Sequence, residues 1–323
     1  MAGKSSRDSG YGYGDCGGDG NGDQIFCAID FFYFLPEGCI AAIISFTSPR
    51  DACRLASVSK IFKSAADSDQ VWERFLPSDY RDVLRNSDGG LALLNSLSKR
   101  QLYLHLSEHQ LLDQSGTKSF SLERLSGKKC YTISAEELGI TWGDTPRYWI
   151  WRTAPESRFQ EVAELVTVCW LEIRGKIHTR SLSPDTNYAA YFVFKMSEEA
   201  YGFYSPAEVA VKTAGGKTET RTVYLVPQEG QNQRYQIVPR RIGVFNRIRH
   251  MTGMQPTMQR EGDLKLPKQR ADGWLEVEMG EFWTQRDEDE EVEMWVREIK
   301  AGNWKGGLIV EGIEVRPKPV NIQ

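Results

Sequence analysis

The sequence predicts an α+β chain in which short N-terminal helices lead through a helical connector into an antiparallel β-sandwich of the jelly-roll kind. Three observations predict it. Residues 31–80 carry helix-start signals at close intervals, with Pro36 and Pro49 at helix-start positions and Ser48 and Asp51 spaced as a capping box. Beyond residue 126 the pattern changes to short runs that alternate apolar and polar side chains, the period of a strand with one face buried. At 323 residues the chain also exceeds one ordinary domain, taking about 150 residues for each.

Residues 1–24 have the composition of a disordered tail, because Gly, Ser and Asp cannot bury enough apolar area to offset the entropy of ordering. Their GYGYG run lacks the preceding strand and following helix that a phosphate loop needs. Residues 28–80 form the first predicted unit. Its first helix follows Leu35-Pro36 with Ile40, Ile43 and Ile44 on one face, and its second starts at the Ser48 cap. Its third runs from about Asp67 through Trp72 to Phe75 and stops before Pro77. A lone helical unit of about 40 to 50 residues buries little surface, so its many apolar residues need a cover. That cover is either a partner protein or the rest of this chain.

Residues 81–125 read as a helical connector with Leu91, Leu94, Leu97, Leu102, Leu106 and Leu111 to bury. His105 to His109 match H-x-x-E-H, yet a zinc hydrolase needs a third ligand and an enclosing cavity, so two surface histidines are the simpler reading. Strands are expected within 159–177, 188–196, 208–213, 220–226, 274–283, 291–298 and 307–315, inside a domain spanning 126–318. Gly215-Gly216-Lys217-Thr218 reads as a hairpin turn, since Val211 stands where a phosphate loop needs Gly. The basic stretch 227–263 and the acidic run 287–291 read as solvated loops, the former also a possible contact patch.

A net charge of −4 and a pI near 5.8 make no global electrostatic case for nucleic acid or an acidic membrane as partner. No run of about 18 apolar residues and no signal-peptide core occurs, and the six cysteines form no C-x-x-C pair. Reduced thiols in a cytoplasmic or nuclear protein are the expectation, without disulfides, metal or cofactor.

Three of the nine tryptophans fall within TWGDTPRYWIW at 141–151. Trp149 and Trp151 share one face of an extended segment, whereas Trp142 precedes a Gly-Asp-Thr-Pro turn. Such rings either fill a core or form stacking platforms for a flat ligand such as a sugar.

The segment LPEGCIAAIISFTSPRDACRLASVSKIFKSAADSDQVWERFLP closely resembles an F-box. The resemblance implies docking on a Skp-type adaptor, and through it on a cullin and ubiquitin transfer, with no chemistry in the chain itself. Leu35, Pro36, Ile40, Ile43, Ile44 and Trp72 are the candidates for that interface, some of them packing within the box instead. The blocks GKKCYTISAEELGITWGDTPRYWIW, EVAELVTVCWLEIRGKI, YAAYFVFKM, DGWLEVEMGEFW, EVEMWVREI and WKGGLIVEGIEVRP resemble, in order, the phloem protein 2 family and the related tobacco-type lectin domain. That resemblance implies a jelly-roll sandwich that binds N-acetylglucosamine oligomers or N-glycan cores. Trp142 and Trp149 match the lectin's two site tryptophans, and Glu291 and Glu298 match its acidic positions. Trp151, Trp170 and Trp274 are then expected in the core. The function implied is a target-choosing ligase subunit that reads a glycoprotein's glycan. The alternatives are an adaptor gripping protein without sugar and, remotely, a glycan-active enzyme.

Overall fold

A computed structural model describes residues 35–226 and 265–319. The predicted tail and the basic stretch at 227–263 lie outside the described residues. From Glu37 onward the helices and both sheets form one unit.

The helices are α1 Glu37–Ile44, α2 Pro49–Leu55, α3 Lys60–Ala66, α4 Asp69–Phe75, α5 Tyr80–Arg85, α6 Gly90–Ser96 and α7 Lys99–Glu108. The Ser48 hydroxyl accepts the Asp51 N–H at 3.1 Å and donates to the Asp51 carboxylate at 2.7 Å, which starts α2 where the sequence places it. Helix α3 is an addition to the three expected. The Ser59 hydroxyl caps it by accepting the Phe62 N–H, but it buries only two small residues, Ala65 and Ala66, and so has a faint apolar stripe. At α7 the Ser98 hydroxyl accepts from Gln101 N–H while the Gln101 amide oxygen accepts from Ser98 N–H, a complete capping box.

The strands are β1 Leu111–Leu112, β2 Lys118–Leu122, β3 Lys129–Ser134, β4 Gly139–Ile140, β5 Trp149–Arg152, β6 Val162–Leu165 and β7 Leu171–His178, then β8 Thr186–Tyr201, β9 Ala207–Lys212, β10 Thr218–Val223, β11 Lys268–Gln269, β12 Leu275–Thr284, β13 Glu291–Glu298 and β14 Gly306–Pro317. Among the described residues they form two antiparallel sheets. One runs β1-β2-β3-β14-β8-β12-β11 with β6 and β5 branching from β14, and the other runs β10-β9-β13-β7-β4. The stretch expected to be connector thus already contributes β1 and β2. Side chains alternate, so Ile173, Val209, Met294 and Val296 of one sheet meet Phe192, Val277, Val310 and Ile313 of the other in a shared apolar core. Gly175 sits between them because a Cβ there would come within 2.8 Å of Leu138 and 2.9 Å of Ile313.

The helices are joined to the sheet by packing and by polar contacts. The Tyr103 hydroxyl of α7 donates to the Arg124 carbonyl at 3.0 Å, and the Lys129 ammonium of β3 lies 2.9 Å from the Asp79 carboxylate before α5. Cys39, Cys53, Cys130 and Cys169 are free thiols. No helix among the described residues is long and apolar enough to cross a membrane.

Candidate functional site

The segment rich in tryptophan is built as a clamped loop. The Thr141 N–H donates to the Glu172 carbonyl at 3.0 Å, which ties the end of β4 to β7. The chain then turns through Trp142 at φ 59°, a left-handed conformation that a bulky non-glycine residue adopts only under constraint. Two rings supply that constraint. Trp149, which is buried, donates its indole N–H to the Thr141 carbonyl at 3.2 Å, and half-buried Trp151 donates its own to the Gly143 carbonyl at 2.9 Å. Both indoles share the inward face, as the period of two predicts. They hold the loop from below, while Trp142 is 44% exposed and rests against Tyr148 with ring centroids 5.3 Å apart.

The four residues matched to a sugar site do not converge. Trp149 has no face to offer a ligand, since it packs in the core beneath the loop. Glu298 is buried and paired with Lys305, whose ammonium also donates to the carbonyls of Cys169 at 3.2 Å and Asn303 at 2.8 Å. Glu291 opens β13 opposite His178, whereas Glu298 closes it opposite Leu171. At about 3.3 Å per residue the two carboxylates stand roughly 23 Å apart. Glu291 instead pairs with Lys176 at 2.8 Å, and that hydrogen bond holds its carboxyl below the usual range. Trp142, Trp149 and Glu298 lie at one end of the sandwich and Glu291 at the other, and of those three only Trp142 reaches the surface.

Other groups occupy that surface. Trp170 is 45% exposed, a correction to its expected core position, and donates to the Glu172 carboxylate at 3.4 Å. The sequence holds the signal: Trp170 is in phase with Glu172, Arg174 and Lys176, the outward face of β7. Trp274 is fully buried, as expected. Glu172 accepts from Arg174 at 2.7 Å and from Arg297 at 2.8 Å. Burial alone would raise its pKa, but the hydrogen bonds from Arg174 and Trp170 and the nearby guanidinium charges leave it lowered and ionised.

The helical residues divide similarly. Ile40, Ile44 and Trp72 are buried within the helices; Trp72 donates to the Ala66 carbonyl at 2.7 Å and packs on Phe75 and Tyr103. These three pack inside the helical unit. Leu35 is half-buried, Pro36 is exposed, and Ile43 is 50% exposed, joined by Phe46 at 73% and Val58 at 67%. At the end of α7 the His105 and His109 rings stack 4.6 Å apart, and among the described residues no group of three or more potential ligands is placed to hold a metal.

The family model for phloem protein 2 matches residues 128–317, more than half the chain. The chain belongs to the phloem protein 2 family. An F-box-like model matches residues 32–78, so this phloem protein 2 domain follows an F-box. Relatives in Arabidopsis thaliana have the same span. "Putative F-box protein PP2-B12" is 48% identical over 89% of this chain and 98% of its own length. "F-box protein PP2-B1" is 42% identical over 90% of this chain and 91% of its length, and "F-box protein VBF" is 41% identical over 88% and 99%. The chain is therefore a plant-type phloem protein 2-like F-box protein.

Proposed function

We propose that this protein is the substrate-receptor subunit of a Skp-cullin-F-box ubiquitin ligase, and that its phloem protein 2 domain selects targets through N-acetylglucosamine-containing glycans. The F-box carries the first half of the reading. Its exposed apolar side chains, Ile43, Phe46 and Val58, are large groups left to water by a small helical unit, and a Skp-type adaptor is their cover. The chain itself acts as a non-catalytic receptor in the cytoplasm or nucleus.

The observation that carries the second half is Trp142, held exposed in a left-handed turn by the indole N–H groups of Trp149 and Trp151. A sugar ring presents an apolar CH face that an indole covers, and hydroxyls that neighbouring polar groups can bond. Backbone held in a sparsely populated conformation clusters at ligand-binding sites. Calorimetric titration of the full chain with N-acetylglucosamine oligomers tests this, with a dissociation constant up to about a millimolar counting as binding, near 4 kcal/mol. Saturable heat lost in Trp142→Ala supports the reading; no heat from the folded wild type overturns it.

The burial of Trp149 and Glu298 favours one second reading, in which the domain grips protein surfaces without sugar. In that case the chain still binds the adaptor and its target, and chitin oligomers do not compete for the target.

A further inference from the structure

We infer that the cleft between β12 and the β9–β10 hairpin, at the end of the sandwich away from Trp142, binds a basic side chain of a partner polypeptide, an arginine above all. The inference does not depend on the glycan reading and gives the domain a second contact, one that selects charge.

Three short segments wall the cleft. Near the end of β12 the side chains alternate, so Phe282 and Thr284 are buried while Trp283 between them is 59% exposed. Gly280 lets this strand pass close to the other sheet, since a Cβ there would come within 3.0 Å of Val211. The Glu281 N–H donates to the Glu219 carboxylate of β10 at 2.8 Å, which ties the first two walls together. The third wall is the acidic run that follows β12, which is pinned rather than loosely solvated. The Thr179 N–H donates to the Glu290 carbonyl at 2.9 Å, its hydroxyl donates to the Glu288 carbonyl at 3.0 Å, and the same hydroxyl accepts the Glu290 N–H at 2.8 Å. A Cβ on Gly215, in the turn of the hairpin, would stand 4.0 Å from the Glu290 carboxylate, so the acidic run and the hairpin face each other. The space enclosed is about 210 Å³, with Trp283, Gln285, Glu288 and Glu290 in its lining.

Size and charge indicate the occupant. Sites for drug-sized ligands begin at about 300 Å³, so this cleft takes one side chain rather than an oligosaccharide. Among the described residues its lining holds four carboxylates against one ammonium, that of Lys217. Glu219 is paired with Arg221, and Glu281 with Arg221 and Lys318. Glu288 and Glu290 are bonded through their backbones alone among the described residues, and their carboxylates are unpaired. A cation entering the cleft therefore meets two free carboxylates and the face of an indole. Arginine suits both, because its planar guanidinium stacks on an aromatic ring and forks between carboxylates. A neutral sugar would strip water from the two carboxylates without a compensating charge, and an anion would be repelled. The Trp142 end differs in this respect, for there Glu172 is engaged by Arg174 and Arg297, and Glu298 by Lys305.

The test is calorimetric titration of the full chain with the acetylated and amidated peptide Gly-Arg-Gly, beside the same peptide carrying citrulline in place of arginine. The wild type is expected to bind the arginine peptide with a dissociation constant of about a millimolar or tighter. The citrulline peptide has the same shape without the charge and should bind at least about tenfold more weakly. Trp283→Ala, and Glu288→Gln combined with Glu290→Gln, should each weaken the arginine peptide about fivefold or more, and Trp283→Phe should keep part of the affinity. Lys217→Ala, which removes a like charge, should tighten it about twofold, and raising salt from about 0.05 M to about 0.5 M should weaken it. Circular dichroism checks that each variant is folded, and each should titrate with N-acetylglucosamine oligomers as the wild type does. Equal affinity for the two peptides, arginine binding unchanged in both the Trp283→Ala and the carboxylate variants, or no heat from the folded wild type overturns the inference. So does a Trp283→Ala protein that loses oligosaccharide and keeps the arginine peptide.

Discussion

The ammonium of Lys129, buried in the first long strand of the sandwich, lies 2.9 Å from the carboxylate of Asp79, between helices α4 and α5. This pair joins the F-box region to the β domain near Gly127, where a Cβ would come within 2.7 Å of the Phe75 carbonyl. Because Asp79 is partly exposed and water can replace it in part, Asp79→Ala should cost about 1–3 kcal/mol, and Lys129→Met less. Urea midpoints at unchanged slope measure both. No loss from Asp79→Ala would show that the ion pair does not hold the junction.

The buried Glu298–Lys305 pair gives a prediction that separates a structural role from a binding one. Removing one partner leaves an uncompensated buried charge, so Glu298→Ala should destabilise the domain by about 3–5 kcal/mol, and Glu298→Leu with Lys305→Met should recover much of the loss. Thermal unfolding of the single and double variants decides it. A stable Glu298→Ala protein with altered sugar affinity would instead return Glu298 to the binding site.

Trp142 predicts a dissociation of stability from recognition. Its φ of 59° costs a non-glycine residue about 1–2 kcal/mol, which glycine avoids. Trp142→Gly should therefore be more stable than Trp142→Ala by about 1 kcal/mol while binding oligosaccharide no better. Chemical denaturation set beside calorimetry compares the two, and a less stable glycine variant would mean that the turn is unstrained.

Acid sensitivity should centre on Glu278. Burial alone would raise its pKa, but hydrogen bonds from Arg221, Lys265 and Lys318 and the charge of Arg221 lower it from the ordinary 4.5 to about 2. A carboxylate depressed in the folded state stabilises fully above its unfolded pKa, and the contribution is lost as pH falls through the folded one. Stability from this group should thus decline between about pH 4.5 and about pH 2. Glu278→Gln should show a shallower decline across that window in urea midpoints; parallel curves would remove Glu278 as a source of the acid limb.

Much of the fold was legible because it is local. A serine before a proline with a carboxylate three residues on starts α2 wherever the chain goes afterwards, and alternation along β7 and β13 already separates an inner from an outer face. Helix α3 escaped notice because small residues bury too little to leave a periodic signature. In the candidate site the phase of β13 groups Glu298 with Val292, Met294 and Val296, so its inward direction was readable, whereas its partner Lys305 was not. Exposure of Trp170 was readable in the same way from β7.

Residue order therefore settled which stretches are helix or strand and which side chains share a face, since caps, prolines and the period of two act within a few residues. Which side chains from other strands each face meets was settled by strands far apart in the chain. Trp149 and Trp151 point the same way by spacing, yet they became supports for Trp142 because β6 and the two packed sheets lie against them. Glu298 is buried as half of a pair because the loop before β14 returns Lys305 to it. Burial and ion pairing depend on neighbours brought together by folding, and a linear pattern does not contain their distances.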